Sequence, residues 1–200
     1  MPIERIRYFA RQLLDEADFT QEQEYLRDKA RRHNRMLHGW GVVSGLCVES
    51  GEAKGELKVG PGYALDAYGN EIVVDDEVTV DLCGEDGDGN PVSPGRPLYL
   101  AIRYAESLTR PVPGGESLEY SRVREGFAVR ILSELPASPP SRELDSHPCP
   151  DLPADPWVVL AEVVLDSNLN ISKVDCDSHR RQIATDSAPT TIVGECESKT

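Results

Sequence analysis

Two hundred residues with 21 Lys and Arg against 35 Asp and Glu give a formal charge of -14, a size for one domain or one domain with a small appendage. A hydrophobic fraction of 39% argues against wholesale disorder, and the acidity argues against nucleic acid as a partner, because backbone phosphates require a basic face. The apolar run from Trp157 to Ala161 stops at Glu162, far short of the ~20 residues of a membrane helix, and Arg5, Arg7 and Arg11 interrupt any secretory segment, so no direct membrane insertion and a cytoplasmic site of synthesis are expected.

The charge is uneven along the chain. Residues 1–50 carry eight basic and eight acidic side chains, so the whole deficit falls in residues 51–200. Two regions so differently charged point to two different surroundings.

The first element is a helix. Its start is expected near Asp18-Phe19-Thr20, with Thr20 and Gln23 at capping-box spacing. Leu26, Ala30, His33 and Leu37 recur at helical intervals and give one narrow apolar face. Asp28 and Arg32, and Glu24 and Arg27, are spaced to pair, while Arg27, Arg31 and Arg35 form a second stripe. The helix should end at His38-Gly39, where glycine can take a left-handed cap.

β structure follows. Strands are expected in Gly41–Glu49, Glu56–Val59, Tyr63–Asp66, Glu71–Val74 and the alternating Val78, Val80 and Leu82, with a hairpin turn at residues 67–70. Further strands are expected at Leu98–Tyr104, Gly126–Leu132, Trp157–Leu165 and Leu169–Val174. Residues 136–156 hold seven of the fifteen prolines and read as an extended strap; residues 184–200 read as a polar tail. No internal repeat stands out. The expected architecture is α+β: an N-terminal arm and amphipathic docking or oligomerisation helix over residues 1–38, then a mainly antiparallel β-sandwich or barrel-like domain over 39–183.

Chemistry is sparse. Gly39-Trp40-Gly41-Val42-Val43-Ser44-Gly45 fits neither a dinucleotide loop nor a nucleophile elbow, and its glycines read as a sharp helix-to-strand turn with Trp40 over the core. His33 and His38 are five residues apart, a poor metal pair, no nucleophile accompanies His33, and Ser44 lacks the elbow spacing, so no catalytic residue is expected. Asp86, Asp88 and Asn90 mimic the opening of a calcium loop, but Pro91 and Pro97 break the pattern and leave an acidic turn. Five scattered cysteines do not suggest a disulfide framework. His147, Cys149, Cys176 and His179 could form a structural Cys2His2 zinc site pinning the strap to the last strand; no other cofactor is implied.

One longer pattern runs through Arg7-Tyr8-Phe9, Gln12-Leu13-Leu14, Asp18-Phe19, Glu22-Gln23, Tyr25, Arg27, Lys29, Arg31, His33-Asn34-Arg35, Leu37-His38-Gly39, Gly41-Val42-Val43 and Gly45-Leu46. It continues through Pro61-Gly62, Ala64-Leu65-Asp66, Gly69 and Glu71–Val74, with an echo in Trp157–Val163 and Arg181. This resembles the N-terminal domain of a family found in contractile phage tails and related injection systems, in tail-fibre or baseplate-associated proteins. Arg11 stands where that family usually has glycine, and Ser44 where cysteine is frequent. No coiled-coil or receptor-binding extension follows in these residues, which implies a short adaptor or baseplate part.

The resemblance implies a non-enzymatic structural subunit of such a particle, assembled with other subunits and as a homo-oligomer. It places the interface at Tyr8, Phe9, Phe19, Glu22, Gln23, Arg27, Arg31, His33, Asn34, Arg35, His38 and Trp40. From the residues alone a solvated helix face remains open. A second expectation, from a different class, is an attachment module gripping a cell-surface glycan or protein with loops 84–97, 109–117 and 136–156.

Overall fold

The computed structural model describes residues 4–82, 84–114, 117–137 and 155–183. After an irregular N-terminal arm comes α1 (Glu16–His33), then a π-helical turn (Asn34–His38) and ten strands: β1 (Gly41–Gly45), β2 (Val48–Ser50), β3 (Glu56–Val59), β4 (Gly62–Leu65), β5 (Glu71–Val74), β6 (Val78–Asp81), β7 (Pro97–Gly114), β8 (Ser117–Leu132), β9 (Val158–Leu165) and β10 (Ile171–Asp175). The α+β class holds.

All strand pairing within the sheets is antiparallel, in the orders β1-β4-β5, β2-β3-β6 and β10-β9-β7-β8. The three sheets curl around a single apolar core as a half-barrel. Leu46, Leu57, Ile72, Leu100, Ile102 and Leu160 are fully buried there, each contributing roughly 1.5–3 kcal/mol of transfer free energy. β9 is buried along nearly its whole length because β7 and β10 flank it, which is why Trp157–Ala161 reads as a continuous apolar run.

The expected run Gly41–Glu49 is two strands, divided at Leu46, whose φ of 55° breaks the ladder and lets the chain change sheets. Trp40 packs on the core edge, and Gly41, at φ 135°, leaves no room for a side chain: a Cβ would lie 2.5 Å from the Arg181 carbonyl oxygen. Arg181 in turn lies over the Trp40 ring at 4.7 Å, and Val42 exchanges backbone hydrogen bonds with Arg181 and Ile183. The two separated stretches of the sequence pattern, 39–46 and 157–183, therefore meet in space.

The largest departure from expectation is the β7–β8 hairpin. Of residues 109–117, expected as a loop, 109–114 and 117 belong to an arm in which pairing continues to Gly114 and Ser117. Leu108, Leu118, Tyr120 and Val123 are exposed on it.

Three connections share one construction. Asp66–Asn70, Asp86–Asn90 and Asp166–Asn170 are each Asp-x-x-x-Asn. In each, the N–H of the fourth residue donates to the Asp carbonyl, and the Asp N–H donates to the Asn carbonyl. The Asp carboxylate accepts from the N–H groups of the third and fifth residues and from the Asn amide. The fourth residue is left-handed each time: Gly69, Gly89 and, without a glycine, Leu169.

Candidate functional site

The site is the seam between α1 and the β4–β5 turn, together with the helix surface left uncovered. The helix begins earlier than expected. Asp15, not Thr20, is the N-cap: its carboxylate accepts from the Asp18 N–H at 3.1 Å, and Asp18 accepts from the Asp15 N–H at 3.2 Å. Acidic residues in the first turn and Arg31, Arg32 and His33 in the last complement the helix dipole. The expected end at His38-Gly39 is correct, reached through a π turn closed by the Gly39 N–H on the Asn34 carbonyl at 3.0 Å.

The helix docks on the turn by polar contacts. Arg31 Nε donates to Asn70 Oδ1, and Asn34 Nδ2 donates to the Gly69 carbonyl at 3.0 Å and to Glu71 at 3.4 Å. Gly69 is required for this closeness, since a Cβ there would stand 2.2 Å from the Arg31 carbonyl oxygen. Beneath lies Asp66, 1% exposed. Its carboxylate takes the Asn70 Nδ2 hydrogens at 2.8 Å, which turns Asn70 Oδ1 outward as the acceptor Arg31 needs. Burial pushes the Asp66 carboxyl above the usual carboxylate range, with the bonds from Asn70 and Tyr68 and the Arg31 charge opposing it.

The arginine row has a second task within the chain. β7 and β8 set Glu106 directly opposite Glu125, a repulsive cross-strand pair. Arg27 lies 3.8 Å and Arg31 3.9 Å from Glu106, and the Tyr104 hydroxyl donates to it at 2.8 Å. The expected Glu24–Arg27 and Asp28–Arg32 pairs give way to these: Arg27 reaches across to Glu106, and Asp28 approaches Arg31 at 3.9 Å. A long side chain with a carboxylate on a neighbouring strand has a better partner than one on its own surface.

The apolar face is left bare. No residue of α1 is buried, and Phe19, Leu26 and, beyond the π turn, Leu37 are 52%, 59% and 63% exposed. Phe9 and Tyr8 on the arm are also exposed, Tyr8 donating to Glu22 at 2.5 Å and so held in its neutral form to higher pH. The twelve residues expected at an interface thus separate. Arg27, Arg31, Asn34 and Trp40 are engaged within the chain; Tyr8, Phe9, Phe19, Gln23, His33 and His38 are exposed; Glu22 and Arg35 are half-buried. The His33 and His38 rings meet edge to face at 5.3 Å despite their five-residue separation, because the π turn brings them together. Ser44 is exposed on β1.

Beside the seam opens a groove of about 450 Å³ lined by Asp28, Arg31, Arg32, Arg35, Tyr68 and Asn70. Gly69 falls in the sequence pattern and in the expected turn at 67–70, but its contact with α1, and the roles of Asn70 and Glu106, do not follow from it; the repeated Asp-x-x-x-Asn spacing is the signal that points to Asn70.

Of the expected zinc ligands, Cys176 points its Sγ toward the Val48 carbonyl at 3.7 Å, its thiol pushed up by burial. His179 Nε2 lies 3.0 Å from Glu162 and edge-on to Tyr99. His147 and Cys149 lie outside the described residues, as do most of the 136–156 strap and the 184–200 tail. Among the described residues no group of three His, Cys, Asp or Glu side chains is placed to hold a metal ion. No described helix is long and apolar enough to cross a membrane.

Fold and seam together define an α+β module in which a polar-docked helix presents an uncovered apolar stripe beside an arginine-lined groove. No family model and no curated protein matches the chain. It is similar in fold to solved structures of the baseplate complex from the type VI secretion system (TM-score 0.49, 16% identity, 88% of this chain and 58% of that one), of TssK (0.48, 11%, 87% and 41%) and of the TssK-TssF-TssG baseplate subcomplex (0.48, 13%, 87% and 60%). The chain spans between 41% and 60% of the length of these proteins. At such identities and scores the likeness assigns no residue a role.

Proposed function

We propose that this chain is a structural, non-enzymatic subunit of a contractile, phage-tail-like injection particle, of the baseplate or adaptor kind. The observation that carries the reading is α1: eighteen residues long, with none buried and its apolar stripe bare. An amphipathic helix gains most of its stability by covering its apolar side, and here the domain beneath holds it by arginine and asparagine instead. The stripe and the exposed aromatic side chains of the arm form the surface a neighbouring subunit would cover. The sequence pattern resembling injection-system proteins runs through this same helix, and a baseplate is the assembly named for the similar solved structures.

The test is reconstitution of the particle with Phe19→Asp/Leu26→Asp. The exposed substitutions should leave folding intact, while incorporation into purified particles falls to background. Normal incorporation of the variant would overturn the reading.

A further inference from the structure

We propose that the groove between α1 and the β4–β5 turn receives an acidic segment of a partner polypeptide, clamped by Arg32 and Arg35; the inference rests on the subunit reading above and names the chemistry of one contact.

Three arginines line this groove, Arg31, Arg32 and Arg35. Arg31 is committed to Asn70, Glu106 and Asp28. Among the described residues, neither Arg32 nor Arg35 has an ion pair. In a chain of net charge -14, two groove arginines that pair with no acid among the described residues are notable on charge grounds. Arg31 and Arg35 repel at i,i+4 spacing, and among the described residues Asp28 is the one acid lining the groove. An incoming carboxylate would relieve that repulsion.

Asn70 cannot serve the incoming group as a free partner. Its amide nitrogen is turned to Asp66 and its oxygen to Arg31, so the cationic donors left for a ligand are the outer arginines. The π turn from Asn34 to His38 follows at once, and its wider winding sets where Arg35 projects relative to Arg32. Planar guanidinium forks match carboxylates in a bidentate way. A nucleic acid is a poor occupant, because the surrounding net charge of -14 repels an extended polyanion while leaving a short acidic segment access to a local basic groove.

The experiment measures binding of fluorescein-labelled oligoglutamate to the full chain by polarisation, with oligoglutamine as the neutral probe. Arg32→Gln/Arg35→Gln should weaken oligoglutamate binding by about tenfold or more, with oligoglutamine not bound by either protein. Leu26→Ser, on the apolar stripe, should bind oligoglutamate like the wild type. Equal binding by the arginine variant and the wild type, or no binding to either, overturns the proposal. Displacement by inorganic phosphate at the same concentration as by free glutamate oligomer also overturns it, because the groove would then be a small-anion site. Failure of Phe19→Asp/Leu26→Asp to impair incorporation sinks the subunit reading while leaving the peptide result to stand by itself.

Discussion

Asp66 and Asp86 occupy turns of the same sequence plan, with the same carboxylate accepting the same backbone and amide hydrogens, yet their acidities move in opposite directions. Asp86 is drawn down to about 2, first by the Asn90 backbone bond. Asp66 is raised, first by burial. Asp166, the third example, follows Asp86. Local structure is therefore shared, and the difference comes from what lies on top: α1 covers only the Asp66 turn. One turn has been converted from a connection into a seat for the helix.

Glycine substitution breaks that comparison most sharply. Gly69 and Gly89 have φ of 84° and 79°, but a Cβ at Gly89 meets nothing within 4 Å, whereas at Gly69 it would meet the Arg31 carbonyl at 2.2 Å. Gly89→Ala should cost only the left-handed strain, about 1 kcal/mol. Gly69→Ala should cost about 3 kcal/mol or release the helix, adding backbone overlap to the same strain. Chemical denaturation gives both values, and hydrogen exchange in residues 16–38 should rise for Gly69→Ala alone.

Acid titration separates the two carboxylates next. A depressed carboxyl supports the fold above its unfolded value near 4 and loses that support as pH falls toward about 2, so Asp86→Asn should flatten the acid limb of stability over that window. A raised carboxyl has the opposite sign: its contribution is fullest below the unfolded value and is lost as pH rises through the folded one. Asp66→Asn should therefore not flatten the acid limb; by removing a term that grows as pH falls, it should steepen it slightly. It should still loosen α1, because an amide at position 66 no longer fixes Asn70 with its oxygen toward Arg31. Denaturation curves collected between pH 2 and 7 check both signs.

The helix also steadies the arm. Arg31→Ala leaves Glu106 facing Glu125 with one fewer cation, and should cost about 1 kcal/mol. Glu125→Gln should recover part of that loss in the double variant, measured as a coupling energy.

How much of this could be read beforehand follows the range of the interaction. The hairpin at 67–70, the alternating β6, the buried β9 and the glycine-rich turn at 39–41 are local patterns, and they stand where expected. The arm beyond Tyr104 was missed because Pro111, Pro113 and several charges deny it a strand's usual composition; its pairing is set by β7 meeting β8 in register. The apolar stripe was legible, but the direction of the arginine stripe was not, since Glu106 lies 75 residues beyond Arg31 and only the fold brings them together. Arg11 is an instructive middle case. Its φ is 69°, so the backbone there takes a conformation that favours glycine without a glycine, which composition alone does not announce.

The third turn supplies the finest test. Leu169 sits at the place of Gly69 and Gly89, at φ 62°, but its side chain is half-buried against the core. Left-handed strain of about 1 kcal/mol and packing worth about the same amount oppose each other at that one residue. Leu169→Gly removes both, and its net effect should be within about 0.5 kcal/mol of zero. Leu169→Ala removes the packing and keeps the strain, so it should destabilise by about 1 kcal/mol. Alanine would then be worse than glycine, the reverse of their order inside a helix. If denaturation instead ranks alanine above glycine, the left-handed residue is not what sets this turn, and the equivalence of the three Asp-x-x-x-Asn connections fails at its fourth position.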